Sequence, residues 1–423
     1  MNDFSYLFLG VLLAGTLTQL WLTARQAGHV GRHAAAVPRA FADAITPNEH
    51  RRAAEYTLAR LRVERVRLVL NALILFGWTL GGGLAALDGL GSELGLTGLW
   101  HGLALLSAVV LIGSVLELPL GLWRTFGVEA RFGFNRTTPG QYARDLALGA
   151  GLAAVLGLPL AAALLWLMTN AGTTWWVFAW LVWFGFTLAF SWAYPIWIAP
   201  LFNRFEVLER PTLRRRLERL LARSGFRSDG MFVMDGSRRS GHGNAYFTGF
   251  GRSKRIVFFD TLLEGLSDEE IEAVLAHELG HFSRRHVAKR LALSAVLSLG
   301  SLALLGWLAR QDWFYTGLGV DGRSPALALA LFLLVAPAFT IFLRPLAAAL
   351  SRRQEFEADD FAARQVGAEV LISALVKLYR DNASTLTPDP WYSAFHHSHP
   401  PAPVRIRHLA GTSESPAPCP AAG

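Results

Sequence analysis

The sequence is poor in cysteine, in lysine and in charge. Cys419 is its one cysteine, so neither an intrachain disulfide nor a cysteine-ligated zinc site can form. The ending Cys419-Pro420-Ala421-Ala422-Gly423 puts that cysteine one place too early for a prenylation signal. Lysine is confined to Lys254, Lys289 and Lys377, which leaves arginine to carry nearly all the positive charge. Charged residues make up 17% of the 423, where a soluble domain carries about a quarter. With 52% hydrophobic residues, that deficit excludes an ordinary soluble chain and points to a membrane. The net charge of +8 is distributed beside apolar runs and builds no basic, aromatic-interleaved module, so no nucleic-acid partner is expected.

A bilayer core takes about 20 apolar residues per helix. Seven stretches qualify: Phe4–Thr23, Leu68–Leu87, Leu99–Leu122, Leu146–Met168, Trp175–Ile198, Leu291–Leu308 and Ala326–Leu343. Pro337 is expected to break the last. The first lacks a basic start and a small-residue cleavage site, so it reads as a retained helix. The segment Ala24–Arg67 carries nine arginines, and the loop with Arg124, Arg131, Arg136 and Arg144 is also basic. Ser92–Gly98 and Thr169–Thr174 contain no lysine or arginine. The positive-inside rule therefore places the basic loops and the C-terminus in the cytoplasm. The Ala, Gly and Arg bias suggests a bacterial source, hence an inner membrane.

The expected organisation is mainly α: a membrane domain of five helices over 1–198, then a second domain over 199–412 that carries the candidate site motifs. The second domain includes the spans 291–308 and 326–343. Its polar segments, Ala199–Lys289 and Ser351–Leu409, meet on the cytoplasmic side. Residues 413–423 read as a disordered tail, rich in Pro, Ser and Ala.

Ser267-Asp268-Glu269-Glu270 is a capping box that starts a helix. Ile271, Val274, Leu275, Leu279 and Phe282 continue it at helical spacing. His277 and His281 then share one face and can reach one metal ion, while Glu278 is displaced toward a metal-activated water. With twelve histidines, a chance His-Glu-x-x-His has odds on the order of one or two in a hundred. The pattern points to a zinc hydrolase with Glu278 as base. A third ligand must be a carboxylate or histidine, and Arg353–Asp360 supplies the acids. Spacing alone does not choose between Glu355 and Glu357. Met231–Asp235, Asn244–Phe250 and Arg255–Asp260 read as short strands, one of which could offer an edge to an extended peptide.

His277–His281, Glu355-x-x-x-Asp359 and seven apolar spans resemble the CAAX prenyl protease 1 family. Further stretches carry the resemblance: Ala199-Pro200-Leu201-Phe202-Asn203, Asp235-Gly236-Ser237, Asn244–Gly249, Arg255–Asp260 and Ser398-His399-Pro400-Pro401. The resemblance implies an integral-membrane zinc metalloendopeptidase with a zincin-like domain and a small β-sheet. It implies one zinc ion on His277, His281 and Glu355, with Asp359 supporting a ligand. His399 would steady the carbonyl oxygen, with Arg405 near the scissile bond. Asn244, Ala245 and Tyr246 would line the substrate strand, Asn244 touching the substrate backbone. The helices would enclose a chamber, and Gln19, Asn71 and Glu117 either line it or bond helix to helix. The implied partners are a peptide or protein substrate, lipidated in the CAAX case, and the bilayer, with the chain as a monomer. An alternative is quality control of unprenylated membrane proteins, as in the HtpX-type proteases. The polar surroundings of the motif argue against an intramembrane site-2-type enzyme, and the complete ligand set argues against a non-enzymatic scaffold.

Overall fold

The structure is a computed structural model and describes residues 1–226, 228–248 and 255–413. The membrane half begins with α1 (Asp3–His33), capped by Asn2, and α2 (Pro47–Trp78). At the start of α2 the Thr46 hydroxyl accepts the Glu49 N–H and the Glu49 carboxylate accepts the Thr46 N–H, with Pro47 in the first turn. Then follow α3 (Gly83–Glu93), α4 (Gly98–Leu122), α5 (Pro139–Leu152), α6 (Leu158–Asn170) and α7 (Trp175–Ala193). π-helical turns at Trp123–Glu129, Ala153–Gly157 and Tyr194–Ile198 extend α4, join α5 to α6 and lead α7 into the short α8 (Ala199–Phe202).

The second expected span, Leu68–Leu87, is bent rather than straight. α2 ends at Trp78 and α3 leaves it at 48°. Three glycines cause the break: Gly82 adopts φ 77, and a Cβ on Gly81 would lie 2.8 Å from the Gly77 Cα. Among the described residues, six helical stretches are long and apolar enough to cross a bilayer, or seven if the α2–α3 pair is one span.

The polar half holds β1 (Phe205–Val207), α9 (Pro211–Arg223), β2 (Gly230–Met234), β3 (Ala245–Thr248), β4 (Arg255–Phe259), α10 (Asp260–Gly265) and α11 (Asp268–Ser283). The sheet order is β1-β2-β4-β3, with β2 and β4 parallel and the outer pairs antiparallel. Thus β3 is an edge strand. The expected strand Asn244–Phe250 forms over Ala245–Thr248, and residues 249 and 250 lie outside the described residues. β1 was not expected, since three residues are too few to show alternation.

Next come α12 (His286–Leu308), α13 (Asp312–Thr316) and α14 (Pro325–Thr340). Pro337 does not end the seventh span: α14 runs through it and gives way to a 3-10 turn at Ile341–Leu343. Proline removes one N–H, and neighbouring helices can absorb that loss in a membrane. α15 (Arg344–Val366), α16 (Ala368–Asp381), α17 (Pro390–His396) and α18 (Ala402–Ser413) complete the fold. Residue 413 therefore closes a helix, and 414–423 lie outside the described residues.

The two largest apolar clusters hold these layers. One joins Phe8, Leu84, Leu105, Leu165, Ala179 and Leu327 among the membrane helices. The other packs Leu217, Ile256, Phe258, Ile271, Leu275 and Leu371 beneath the sheet. Val155, Val296 and Trp197 are over 60% exposed on the apolar helices, which suits lipid and not water. A cavity of about 960 Å³ lies among the membrane helices, lined by Asn71, Leu75, Val109, Glu117 and Leu334. A second, of about 660 Å³, is lined by Arg60, Glu64, Glu117, Arg124 and His399. Glu117 borders both. Gln19 lines neither; its amide points back to the Gly15 carbonyl at 3.5 Å.

α11 packs on α15 at closest approach through Gly280. A Cβ there would meet the Ala358 Cα at 2.8 Å and its carbonyl oxygen at 3.0 Å. Both neighbours are backbone, so the helices must separate to admit a methyl group. Gly280→Ala should therefore cost about 1–3 kcal/mol. A lowered melting midpoint in detergent would show it, and an unchanged midpoint would count against this packing.

Candidate metal centre and active site

The candidate ligands His277 and His281 lie in the C-terminal half of α11, a helix whose start is firmly set. The Ser267 hydroxyl accepts the Glu270 N–H and Glu270 answers to the Ser267 N–H. Glu270 is further held by Lys377 and Ser373 on α16, at 2.8 and 2.7 Å. Four residues apart, His277 and His281 present their Nε2 atoms to Glu355 of α15, at 3.4 and 3.3 Å. The three donor atoms all lie within 4.8 Å of one another. Glu355 is 1% exposed, and its Oε2 is buried with no hydrogen-bond partner. A buried, orphaned carboxylate oxygen between two imidazoles is a costly arrangement unless a cation completes it. Two imidazole nitrogens and one carboxylate form a donor set that fits zinc.

The other nitrogen of each imidazole is occupied. His277 Nδ1 lies 2.8 Å from Asp359 Oδ1. Since a carboxylate only accepts, His277 carries its hydrogen on Nδ1 and leaves Nε2 free to ligate. Asp359 is completely buried, and Arg405 of α18 donates to both its oxygens, through Nε at 2.8 Å and through Nη2. Burial alone would lower the His277 imidazole, but the bond to Asp359 and the nearby Glu355 carboxylate outweigh it and hold it up at about 9. Metal uptake must therefore displace a proton.

Glu278 is partly buried, and no hydrogen bond holds its carboxylate among the described residues. Burial raises its pKa above the usual glutamate value, against the pull of His277 and His281. It is a free carboxylate with raised proton affinity, one residue around the helix from the ligands. His399, on the turn between α17 and α18, brings Nε2 to 3.4 Å from Glu355 Oε1, and its side chain is 62% exposed. Thus six of the expected residues, with Arg405, converge from α11, α15, the turn and α18. Arg405 does so with its guanidinium committed to Asp359 and not open to a substrate. Asn244, Ala245 and Tyr246 are on the β3 side, where α11 packs against the edge strand. Asn244 is exposed, and its side chain accepts the Ala245 N–H at 2.9 Å.

Residues that motif spacing did not reveal position this edge. Asn382 Oδ1 accepts the Gly243 N–H at 3.1 Å and faces His242 Nδ1 at 3.2 Å. His242 also stacks on Phe134 and approaches Tyr56, which donates to Glu129 at 2.6 Å. Arg239 bonds Asp145 at 2.8 and 3.0 Å and Asn203 at 2.8 Å, clasping the sheet domain to the membrane helices. Also unforeseen were His286, 3.0 Å from His281 Nδ1, and the pairing of His286 with Glu357, which spacing had offered as a ligand. A histidine five places beyond His281 was the only signal.

The chelating role predicts that His277→Ala abolishes stoichiometric zinc uptake. Asp359→Asn keeps an acceptor for His277 but leaves Arg405 buried without its counter-charge, and should weaken zinc binding about 10–100-fold. Competition with a chromophoric chelator measures both; wild-type affinity in His277→Ala would refute the site.

Comparison with known proteins places this geometry in a family. Residues 26–204 match the family described as CAAX prenyl protease N-terminal, five membrane helices, and residues 208–413 match peptidase family M48. The chain is 34% identical to the CAAX prenyl protease 1 homolog of Oryza sativa over 384 residues, covering 88% of this chain and 90% of the relative. It is 34% identical to CAAX prenyl protease 1 of Saccharomyces cerevisiae over 324 residues, 72% of this chain and 70% of that one. The human homolog is 31% identical over 381 residues, 80% of each chain. The crystal structure of S. mikatae Ste24p superposes with a TM-score of 0.90 at 27% identity, covering 97% of this chain and 99% of the other. These relatives are eukaryotic and lend no support to a bacterial inner membrane. The chain belongs to peptidase family M48, with the CAAX prenyl protease 1 homologues, and is an integral multi-pass membrane metalloprotease.

Proposed function

We propose that the chain is a zinc metalloendopeptidase that cuts peptide bonds near the C-terminus of CAAX-type, prenylated peptides. The convergence of His277, His281 and Glu355 beside an unbonded Glu278 carries this reading. A zinc ion held by those ligands would supply Lewis acidity and lower the pKa of a bound water toward neutrality. Glu278 takes the proton from that water and passes it to the leaving amine. His399 donates from the exposed side to the carbonyl oxygen as negative charge develops there. Arg405 acts through Asp359, holding the His277 ring, and does not touch the peptide. An extended substrate adds to the free edge of β3, with Asn244 toward its backbone.

The same reading puts the site on the cytoplasmic side, where the arginine-rich loops lie, and treats the monomer as sufficient because all ligands come from one chain. The apolar cavity of about 960 Å³ offers an apolar chain a place beside the polar one. Full-length similarity to the CAAX proteases, including all the spans, favours this reading over HtpX-type quality control.

Two measurements on the purified protein test it. Glu278→Gln should abolish hydrolysis while zinc stays bound; undiminished turnover would remove Glu278 from the role of base. Matched peptides with and without a farnesyl group should differ in kcat/KM by about tenfold or more, the equivalent of about 1.4 kcal/mol. Equal rates would favour unprenylated substrates instead.

A further inference from the structure

His281 has its own support, separate from the Asp359–Arg405 clamp on His277. Its Nδ1 is 3.0 Å from His286 Nδ1, and His286 Nε2 is 3.0 Å from Glu357 Oε2. His286 is completely buried, whereas the Glu357 side chain is 32% exposed and also pairs with Arg353 at 3.3 Å. We propose that His286 and Glu357 form a positioning relay that fixes His281 as an Nε2 metal ligand. This rests on the zinc reading above and assigns a task to two residues outside the ligand set.

Hydrogen counting carries the argument. A carboxylate accepts only, so the hydrogen between His286 and Glu357 is on His286 Nε2. A neutral imidazole has one N–H, so His286 Nδ1 is a bare acceptor. The hydrogen in the contact between the two rings then belongs to His281 Nδ1. His281 Nε2 is left bare, and that is the atom 3.3 Å from Glu355 Oε1. The chain Glu357–His286–His281 thus selects the tautomer that can bind a metal and holds the ring in plane.

The backbone makes a special provision for this contact. In an unbroken helix a residue five places on is turned by about 140° from His281 and cannot meet it. Here Arg285 adopts the left-handed conformation, φ 56 and ψ 32, between α11 and α12. A residue other than glycine is strained in that geometry. It ends α11 and begins α12 so that His286 folds back onto His281. The first residue of a membrane helix thereby supports the metal centre. The relay also divides Glu355-Phe356-Glu357: the first acid faces the ligand cluster and the second backs the relay.

The test uses the full chain in detergent, with zinc affinity from chelator competition and the visible spectrum of the cobalt(II)-loaded protein. His286→Phe keeps an apolar ring but no acceptor, and should weaken zinc binding about 10–100-fold and shift the cobalt bands. His286→Asn restores an acceptor near the Nδ1 position and should recover most of the affinity and the spectrum. Glu357→Gln still accepts from His286 and should bind zinc about as wild type does, whereas Glu357→Leu should bind it more weakly. Wild-type affinity and an unaltered cobalt spectrum in His286→Phe would overturn the relay. If that variant loses its fold, the decision passes to the partly exposed Glu357, where equal affinity in the Leu and Gln variants would overturn it. A wild-type protein that takes up no zinc would sink the zinc reading itself, which separates the two failures.

Discussion

A carboxylate with no exposure to water, that of Asp359, sets the terms for the rest of the site. An isolated charge in such a place is prohibitive, so it must be paired and fully hydrogen-bonded. Arg405 from α18 and His277 from α11 meet that demand from two directions, with Asp359 itself on α15. Three helices far apart in sequence are thus held at hydrogen-bond distance. The fit requires α11 and α15 to touch, which only the missing Cβ of Gly280 allows. Ligand geometry, helix packing and the buried ion pair are therefore one constraint seen at three scales.

The membrane helices take part in this arrangement and do not merely anchor it. α14 leads through a 3-10 turn into α15, which carries Glu355, and α12 begins at His286 behind His281. On the other side, Arg239 reaches Asp145 and Asn203, and Asn382 and His242 tie the β3 entry toward Tyr56 of α2. The cavity of about 660 Å³ is lined by both His399 and Glu117, and Glu117 also borders the apolar cavity. A charged residue in a membrane helix is tolerable when it faces such a space and not lipid. Amphiphilic substrates and a water-dependent reaction can share this layout.

Much of the plan was legible along the chain because its signals are local. Apolar runs of bilayer length marked the spans, and the capping box before Ile271 marked the start of α11. His277 and His281 at helical spacing announced a common face, with Glu278 beside it. Where local signals compete, legibility fell. Leu68–Leu87 is apolar except for Asn71 and Thr79, yet three glycines bend it by 48°. Pro337 reads as a break, but the chain distorts one turn later. Three residues of β1 were too few to show a period, and the pairing of β4 between β2 and β3 depends on contacts that no local pattern encodes.

The sequence by itself determined a multi-pass membrane chain, a helix bearing two imidazoles and a base, and a downstream acidic segment able to supply a third ligand. These follow from hydropathy and helical periodicity, which act over a few residues. Spacing left the acid open and the family resemblance implied Glu355; the tertiary structure supplied the physical reason that it faces the cluster. Glu355 and Glu357 are two residues apart, and nothing in their spacing ranks them. The packing of α11 on α15 turns Glu355 inward between His277 and His281, while Glu357 meets His286. It also decided that Arg405 would lie buried on Asp359. A buried charge chooses its partner by proximity in three dimensions, and a linear sequence does not contain that distance.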